Sequence, residues 1–170
     1  MTFTANDHPR GFGGRFTSTV HAEPGTTLTA PEPSDTIQCR RLEAAQMVLA
    51  DYREMEILDH SPAGRETVTL GELGDPALAL GNCWAATGEL IEQVGASEFD
   101  VDWLDEITIR RARLGGQHVA VLAGDRDGQF VIDFTARQFH PELPFPYVAG
   151  VDEWKAIVER ASGTRWIMDD

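Results

Sequence analysis

The 170-residue chain has little positive charge: Lys155 is its one lysine, and 14 lysines and arginines face 28 aspartates and glutamates. The resulting formal charge of −14 argues against nucleic-acid and anionic-membrane partners, because phosphate recognition requires clustered cations. A basic protein surface is the partner that such a charge favours. We therefore expect no nucleic acid and no membrane among the ligands of this protein.

Cysteine is also scarce, with only Cys39 and Cys83 in the whole chain. Two thiols cannot build a disulfide framework, and neither stands at a Cys-x-x-Cys or Cys/His spacing typical of zinc sites. No apolar run is long enough to cross a bilayer, and the first residues lack the apolar core of a signal peptide. We expect no metal, no cofactor and a cytoplasmic protein, with delivery by a dedicated secretion system left open.

Composition divides the chain into two parts. Residues 1–33 are rich in Gly, Pro, Thr and Ser and show no apolar periodicity, which predicts a flexible N-terminal arm. Residues 34–170 are long enough to bury one core and short for two domains. The sequence therefore predicts an arm followed by a single folded domain.

Two helices are predicted in the first half of this domain. Apolar residues recur at three- and four-residue steps after Ser34 or Asp35, either of which could cap a helix that extends to about Met55. The stretch "CWAATGELIEQV", residues 83–94, has the same spacing and is followed by Gly95, a typical C-terminal cap. Both segments therefore predict amphipathic helices.

Strand patterns dominate the second half. Residues 107–114 alternate loosely, and the apolar runs at 117–123 and 129–135 flank "GDRDG", which predicts an antiparallel hairpin. A last helix is predicted from an Asp152 cap to Gly163. The order of two helices, several strands and a closing helix predicts an α+β fold.

Cys83 lies at the predicted start of the second helix, where unpaired N–H groups and the positive dipole end favour a thiolate. A nucleophilic cysteine needs a base, and the base needs an orienting acceptor. His118 opens the first hairpin strand and Asp133 lies near the end of the second. If the turn centres on Arg126, His118 faces Asp133 or lies within one bulge of it. Aspartate in an apolar strand is costly unless paired, so we predict a Cys-His-Asp triad.

Two neighbours of the cysteine are further candidates for the site. We expect Trp84 to shape the substrate pocket, and Asn82 either to contribute to the substrate or oxyanion site or to cap the helix. The backbone N–H of Cys83 would point at a developing oxyanion. A second oxyanion donor is not identifiable upstream of Cys83.

The motifs "NCWAA", "HVAVL" and "FVIDFT", in the order Cys, His, Asp with spacings of 35 and 15, resemble the papain-like and transglutaminase-like superfamily. The match covers residues 80–135, and its order and spacings are similar to those of the transglutaminase-like branch and of the compact papain-fold deamidase toxins of bacteria. The resemblance implies N-terminal helices packed on a small antiparallel sheet with a closing C-terminal helix. It places the nucleophile on Cys83, the base on His118 and the third member on Asp133.

That resemblance implies acyl transfer through a thioester, with glutamine deamidation or peptide hydrolysis as the leading activities and amide exchange as a third. The substrate would be a protein or peptide, and the enzyme a bacterial effector or toxin. One departure concerns the glutamine that often precedes the cysteine in papain-type peptidases, because "GDPALALGN" contains none.

Two other functions compete with this interpretation. Each residue of the triad, taken alone, is more often a packing or capping residue. An acidic, non-catalytic interaction or immunity-type module that binds a basic partner is therefore the alternative. An N-acetyltransferase would use the same Cys-His-Asp order, but the sequence contains no acyl-carrier binding motif.

Overall fold

A computed structural model describes residues 34–112 and 115–168. The predicted arm, residues 1–33, therefore lies outside the described residues. Within the described ranges, four α-helices accompany one two-stranded and one five-stranded sheet, both antiparallel. The predicted α+β class is confirmed. No helix in these ranges has both the length and the apolar character needed to cross a bilayer.

The elements follow one another along the chain in the order helix, two short strands, two helices, four strands, helix, strand. The helices are α1 (Ser34–Asp51), α2 (Pro76–Ala79), α3 (Cys83–Glu89) and α4 (Val151–Ser162). The strands are β1 (Glu56–Leu58), β2 (Thr67–Thr69), β3 (Trp103–Arg111), β4 (Gln117–Asp125), β5 (Gly128–Asp133), β6 (Tyr147–Ala149) and β7 (Trp166–Met168).

The five-stranded sheet has the order β6-β5-β4-β3-β7, so the predicted hairpin β4–β5 lies near its centre. The hairpin turns at Arg126 and Asp127, and Asp125 pairs with Gly128. Gly128 has a φ of +116°, a backbone conformation that glycine adopts without strain. This two-residue turn sets the register of every residue pair along β4 and β5.

Each face of the large sheet buries its own apolar cluster, as the alternation of strand side chains requires. One cluster joins the sheet to α1, α3 and the β1–β2 hairpin and includes Ala45, Ile57, Val68, Ala86, Leu90, Val121, Phe130 and Ile132. The other joins it to α4 and β7 and includes Ile109, Ala120, Val131, Tyr147, Trp154, Val158 and Trp166.

The helix predicted from residue 83 to 94 is confirmed, with α3 continued by a π-helical turn over Leu90–Val94. Gly95 follows with a φ of +81°, the position expected of a terminal glycine. Helix α1 ends at Asp51 rather than near Met55, because the chain turns through Tyr52.

Helix α4 is capped by Gly150, so the predicted cap at Asp152 is wrong. Asp152 instead lies in the first turn, where its carboxylate interacts favourably with the helix dipole without accepting a capping hydrogen bond. The predicted stop at Gly163 is confirmed by its left-handed conformation. Strand β3 begins at Trp103, earlier than the alternating pattern from 107 indicates, because the residues before Ile107 are largely exposed.

Candidate active site

The turn between α2 and α3 positions Cys83. Gly81 has a φ of +92°, and a Cβ atom there would lie 2.6 Å from the carbonyl oxygen of His60, so only glycine fits. The next residue, Asn82, is fully buried and its Oδ1 accepts from the N–H of His60 at 2.6 Å. Cys83 then begins the helix. The loop after β1 thus serves as the support of the cysteine.

The Asn82 side chain is fully engaged in this support. Its amide group donates to Asp59 Oδ1 at 2.7 Å and to the carbonyl of Leu78 at 2.8 Å. Asn82 occupies the N-cap position of α3 without forming a side-chain capping bond. The side chain therefore neither caps the helix nor has an N–H left for an oxyanion, and its role is to hold the turn.

His118 and Asp133 are joined by a hydrogen bond of 2.7 Å between Nε2 and Oδ2. Pairing of β4 with β5 runs from Asp125–Gly128 to Val121–Ile132, so paired residue numbers sum to 253. This register makes His118 and Asp133 diagonal neighbours on the α4 face, where long side chains still meet. The sequence analysis expected them to be directly opposed or offset by a bulge, and this detail is wrong.

Three further donors surround the Asp133 carboxylate. The indole N–H of Trp154, on α4, donates to Oδ2 at 2.9 Å. The backbone N–H and hydroxyl of Thr135 donate to Oδ1 at 2.8 and 3.0 Å. With the imidazole, both carboxylate oxygens are satisfied although the residue is buried, which keeps Asp133 ionised and fixed in position.

The Cys83 thiol interacts with the His118 ring and with the backbone N–H of Val119. Because Nε2 of His118 faces Asp133, Nδ1 is the ring nitrogen left for the sulfur. Burial, the largest single influence, raises the pKa of Cys83, but its bond to His118 and the imidazolium charge outweigh burial. The pKa of the thiol is consequently lowered, which favours the thiolate.

The imidazole carries the matching positive charge. Burial is the largest single influence on His118 and lowers its pKa, but the charge and hydrogen bond of Asp133 oppose burial and raise the pKa to about 9. For Asp133, burial acts to raise the pKa, and the charge and hydrogen bond of His118 lower it overall. The charged imidazole therefore favours the ionised forms of both neighbours, whereas the Asp133 charge by itself raises the pKa of Cys83.

A pocket of about 350 Å³ opens beside the sulfur. Cys83 is buried at 8% exposure and is one of the residues that line this pocket. Trp84, expected to shape the pocket, lines it and is 63% exposed. The structure thus brings Cys83, His118 and Asp133 together at the edge of an open cavity, with Trp84 on its wall.

Gln138 is a site residue that the sequence analysis missed. It ends a 3-10 turn, Ala136–Gln138, and its amide nitrogen lies 3.3 Å from Nδ1 of His118 and donates to the carbonyl of Thr135. The Phe139 ring meets the imidazole edge-on at 4.8 Å. Both residues follow Asp133 closely in the chain, in a segment expected to form a rim or edge strand beside the site, and no motif marked them.

The hydrogen bond from the Trp154 indole to the Asp133 carboxylate was also missed by the sequence analysis. One signal was available, because a buried indole needs an acceptor for its N–H and Asp133 was predicted to be buried.

The chain was compared with protein-family models, with curated proteins and with solved structures, and none of the three comparisons found a match.

Proposed function

We propose that the protein is a cysteine-dependent acyl-transfer enzyme of the papain-like and transglutaminase-like type, acting on amide bonds. One observation carries the proposal: the His118 imidazole is hydrogen-bonded to Asp133 and also interacts with the Cys83 thiol, and Cys83 lines an open pocket. A core cysteine would not need a buried ion pair behind it, because burying a histidine and a carboxylate is costly unless they serve each other.

In the acylation step, the Cys83 thiolate attacks the carbonyl carbon of the amide and forms a carbon–sulfur bond. The His118 imidazolium then gives its proton to the leaving nitrogen as the carbon–nitrogen bond breaks. Ammonia leaves if the substrate is a glutamine side chain, and an amine leaves if it is a peptide. The product on the enzyme is a thioester, and His118 is neutral.

In the deacylation step, neutral His118 accepts a proton from water as the water oxygen attacks the thioester carbonyl. The carbon–sulfur bond breaks, a carboxylic acid is released, and the thiolate–imidazolium pair is restored. An amine in place of water would give amide exchange by the same route. Asp133, held by Trp154 and Thr135, keeps the ring oriented and stabilises its positive charge throughout.

The oxyanion of each tetrahedral intermediate needs donors at the same pocket. The N–H groups of Cys83, Trp84 and Ala85 precede the first intrahelical bond of α3, from Ala86 N–H to the Asn82 carbonyl. Gln117 and Gln138 also line the pocket, and both follow Cys83 in the chain. We propose the Cys83 N–H as the first donor and one of these two amides as the second.

The experiment that tests this proposal uses p-nitrophenyl acetate as a simple acyl donor. We expect the acetyl group on Cys83 of the folded protein, seen by peptide mass spectrometry, with release of nitrophenolate. Cys83→Ala should abolish the acylation and change the free energy of unfolding by about 1 kcal/mol or less. Cys39→Ala, which removes an exposed thiol on α1, is the matched control and should acylate as the parent does.

Two results would contradict the proposal. One is acylation of Cys39 while Cys83 stays unmodified until the protein unfolds. The other is a loss of several kcal/mol in Cys83→Ala, which would identify a core cysteine. An unreactive Cys83 would favour the acidic, non-catalytic module that the charge of −14 also allows.

A further inference from the structure

Among the described residues that line the pocket beside Cys83, Arg111 is the one member of the lysine, arginine, aspartate and glutamate group, and it is a cation. This is unexpected in a chain with a net charge of −14. Arg111 ends β3 and pairs with Trp166 of β7. Its guanidinium carbon lies 5.3 Å from the centre of the Trp166 ring, a cation–π contact that holds the group at the pocket wall.

Some arginines of the described ranges are paired with carboxylates, and Arg111 is not among them. Arg41 bonds Asp125 through two nitrogens, and Arg65 lies 2.8 Å from Glu72. No ion pair joins Arg111 to a carboxylate within residues 34–112 and 115–168. A guanidinium that stacks on an aromatic ring keeps its N–H groups for an in-plane acceptor, and a carboxylate matches them best.

The rest of the pocket wall is largely apolar and partly exposed. Trp84 is 63% exposed and Leu80 is 48% exposed, and both line the cavity together with Phe139 and Trp166. Large apolar side chains so exposed beside a reactive group mark a binding surface for an apolar group. Trp84 directly follows Cys83, so a group stacked on it would be next to the attacked carbonyl.

Taken with the proposed function, on which this inference rests, these contacts define a substrate class. We propose that the site takes acyl donors from acidic, apolar peptide segments: an apolar side chain packs on Trp84 and Leu80, and a nearby carboxylate binds Arg111. The positive charge of Arg111 disfavours lysine or arginine at that position of the substrate. The pocket thus selects the opposite sign of charge from that which the protein as a whole attracts.

The test compares two reagents that alkylate Cys83 by the same reaction, in which a sulfur–carbon bond forms and iodide leaves. Iodoacetate is an anion and iodoacetamide is neutral. We expect the rate ratio of iodoacetate to iodoacetamide at Cys83 to fall about 3- to 10-fold in Arg111→Gln, because one nearby cation is lost. Arg111→Lys should keep part of the ratio, and the ratio at Cys39 should be unchanged in both variants.

A second measurement uses the unmodified chain and does not depend on the folding of a variant. N-acetylphenylalanine, which has an aromatic side chain and a carboxylate, should protect Cys83 from iodoacetamide at lower concentration than N-acetylphenylalaninamide. Trp84→Ala should weaken the protection by both compounds about 3- to 10-fold, because the apolar surface is lost. Equal protection by acid and amide would overturn the inference, as would an unchanged alkylation ratio in Arg111→Gln.

These outcomes are separable from failure of the proposed function. The rate of the iodoacetamide reaction at Cys83, measured against pH, reports the pKa of the thiol. If that pKa is not below the ordinary value of ~8.5, the enzyme proposal fails whatever the charge preference. If Cys83 reacts readily near neutral pH without preferring anions, the enzyme proposal stands and only the substrate class is wrong.

Discussion

The two ends of the β4–β5 hairpin each hold an aspartate against a cationic partner, and they use it differently. At the turn, Asp125 accepts two hydrogen bonds from Arg41 on α1, at 2.7 and 2.9 Å. At the other end, Asp133 accepts from His118 on the neighbouring strand at 2.7 Å. The pKa of each carboxyl is lowered, chiefly by the Arg41 bonds at Asp125. At Asp133, burial acts to raise the pKa, and the charge and hydrogen bond of His118 outweigh burial.

The difference lies in what the partner can do with a proton. Arg41 remains charged at every relevant pH, so its pair with Asp125 is a fixed tie between α1 and the hairpin. The guanidinium also stacks on Phe130, with its carbon 4.1 Å from the ring centre. His118 can release and recover a proton near neutral pH, so the same kind of contact becomes a working part of the site. At one end of the hairpin the arginine therefore has a structural role, and at the other end the histidine can transfer a proton.

The largest effect should come from removing the charge at the site end of the hairpin. Asp133→Asn should lower the rate of acyl transfer about 10²- to 10⁴-fold, because the asparagine no longer stabilises imidazolium or selects its tautomer. The free energy of unfolding should also fall by about 2–4 kcal/mol, since an amide –NH₂ would face donors from His118, Trp154 or Thr135. Kinetics with p-nitrophenyl acetate and urea denaturation measure both effects.

The matched control is Asp125→Asn, the same substitution at the turn. It should leave acyl transfer within about twofold of the parent, because the residue contacts nothing in the site. A comparable loss of activity in Asp125→Asn would remove the functional distinction between the two ends.

A smaller effect, on stability alone, should come from the tie at the turn. Arg41→Gln should lower the free energy of unfolding by about 2 kcal/mol, because Asp125 is left without its main donor in a largely buried position. A double-mutant cycle of Arg41→Gln with Asp125→Asn should show coupling of about 1 kcal/mol or more. Additive effects would mean that the contact does not tie α1 to the hairpin.

The pH dependence of stability should also change in Cys83→Ala, where only the His118–Asp133 pair titrates at the site. A raised histidine pKa contributes stability that is complete below the unfolded value of ~6.5 and is lost as pH rises through the folded value. We therefore expect the free energy of unfolding of Cys83→Ala to decline above about pH 6.5.

The parent protein should show a weaker decline over the same range. Its lowered thiol pKa adds stability as pH rises toward the unfolded value of ~8.5, which opposes the histidine contribution. Urea denaturation of both proteins between pH 6 and pH 9 measures the difference. A decline of equal size in both would show that the thiol and the imidazole are not coupled.

Local patterns were sufficient to predict the central elements of this fold. The hairpin, the helix after Cys83 and the closing helix have strong periodicity and clear glycine stops, and all three are present. Strands β1 and β7 were missed because three residues are too few to show alternation. Their existence depends on partners far along the chain, which a local pattern does not contain.

The candidate site divides in the same way. Cys83, His118 and Asp133 could be named because each has an unusual residue type for its element, and the structure places them in contact. The supporting hydrogen bonds of Asn82 were missed because its partners, Asp59 and His60, lie more than twenty residues away in a loop without periodicity. Gln138 and Arg111 reach the pocket only through tertiary packing, which no spacing along the chain reveals.

The hydrogen bonds that Asn82 forms with the loop at Asp59 and His60 have a consequence for how activity would be lost. Asn82 ties the residue before the nucleophile to the loop at Asp59, whereas the imidazole and the carboxylate stand on the large sheet. Without that tie the sulfur would lose its position although the acid–base pair behind it stayed intact.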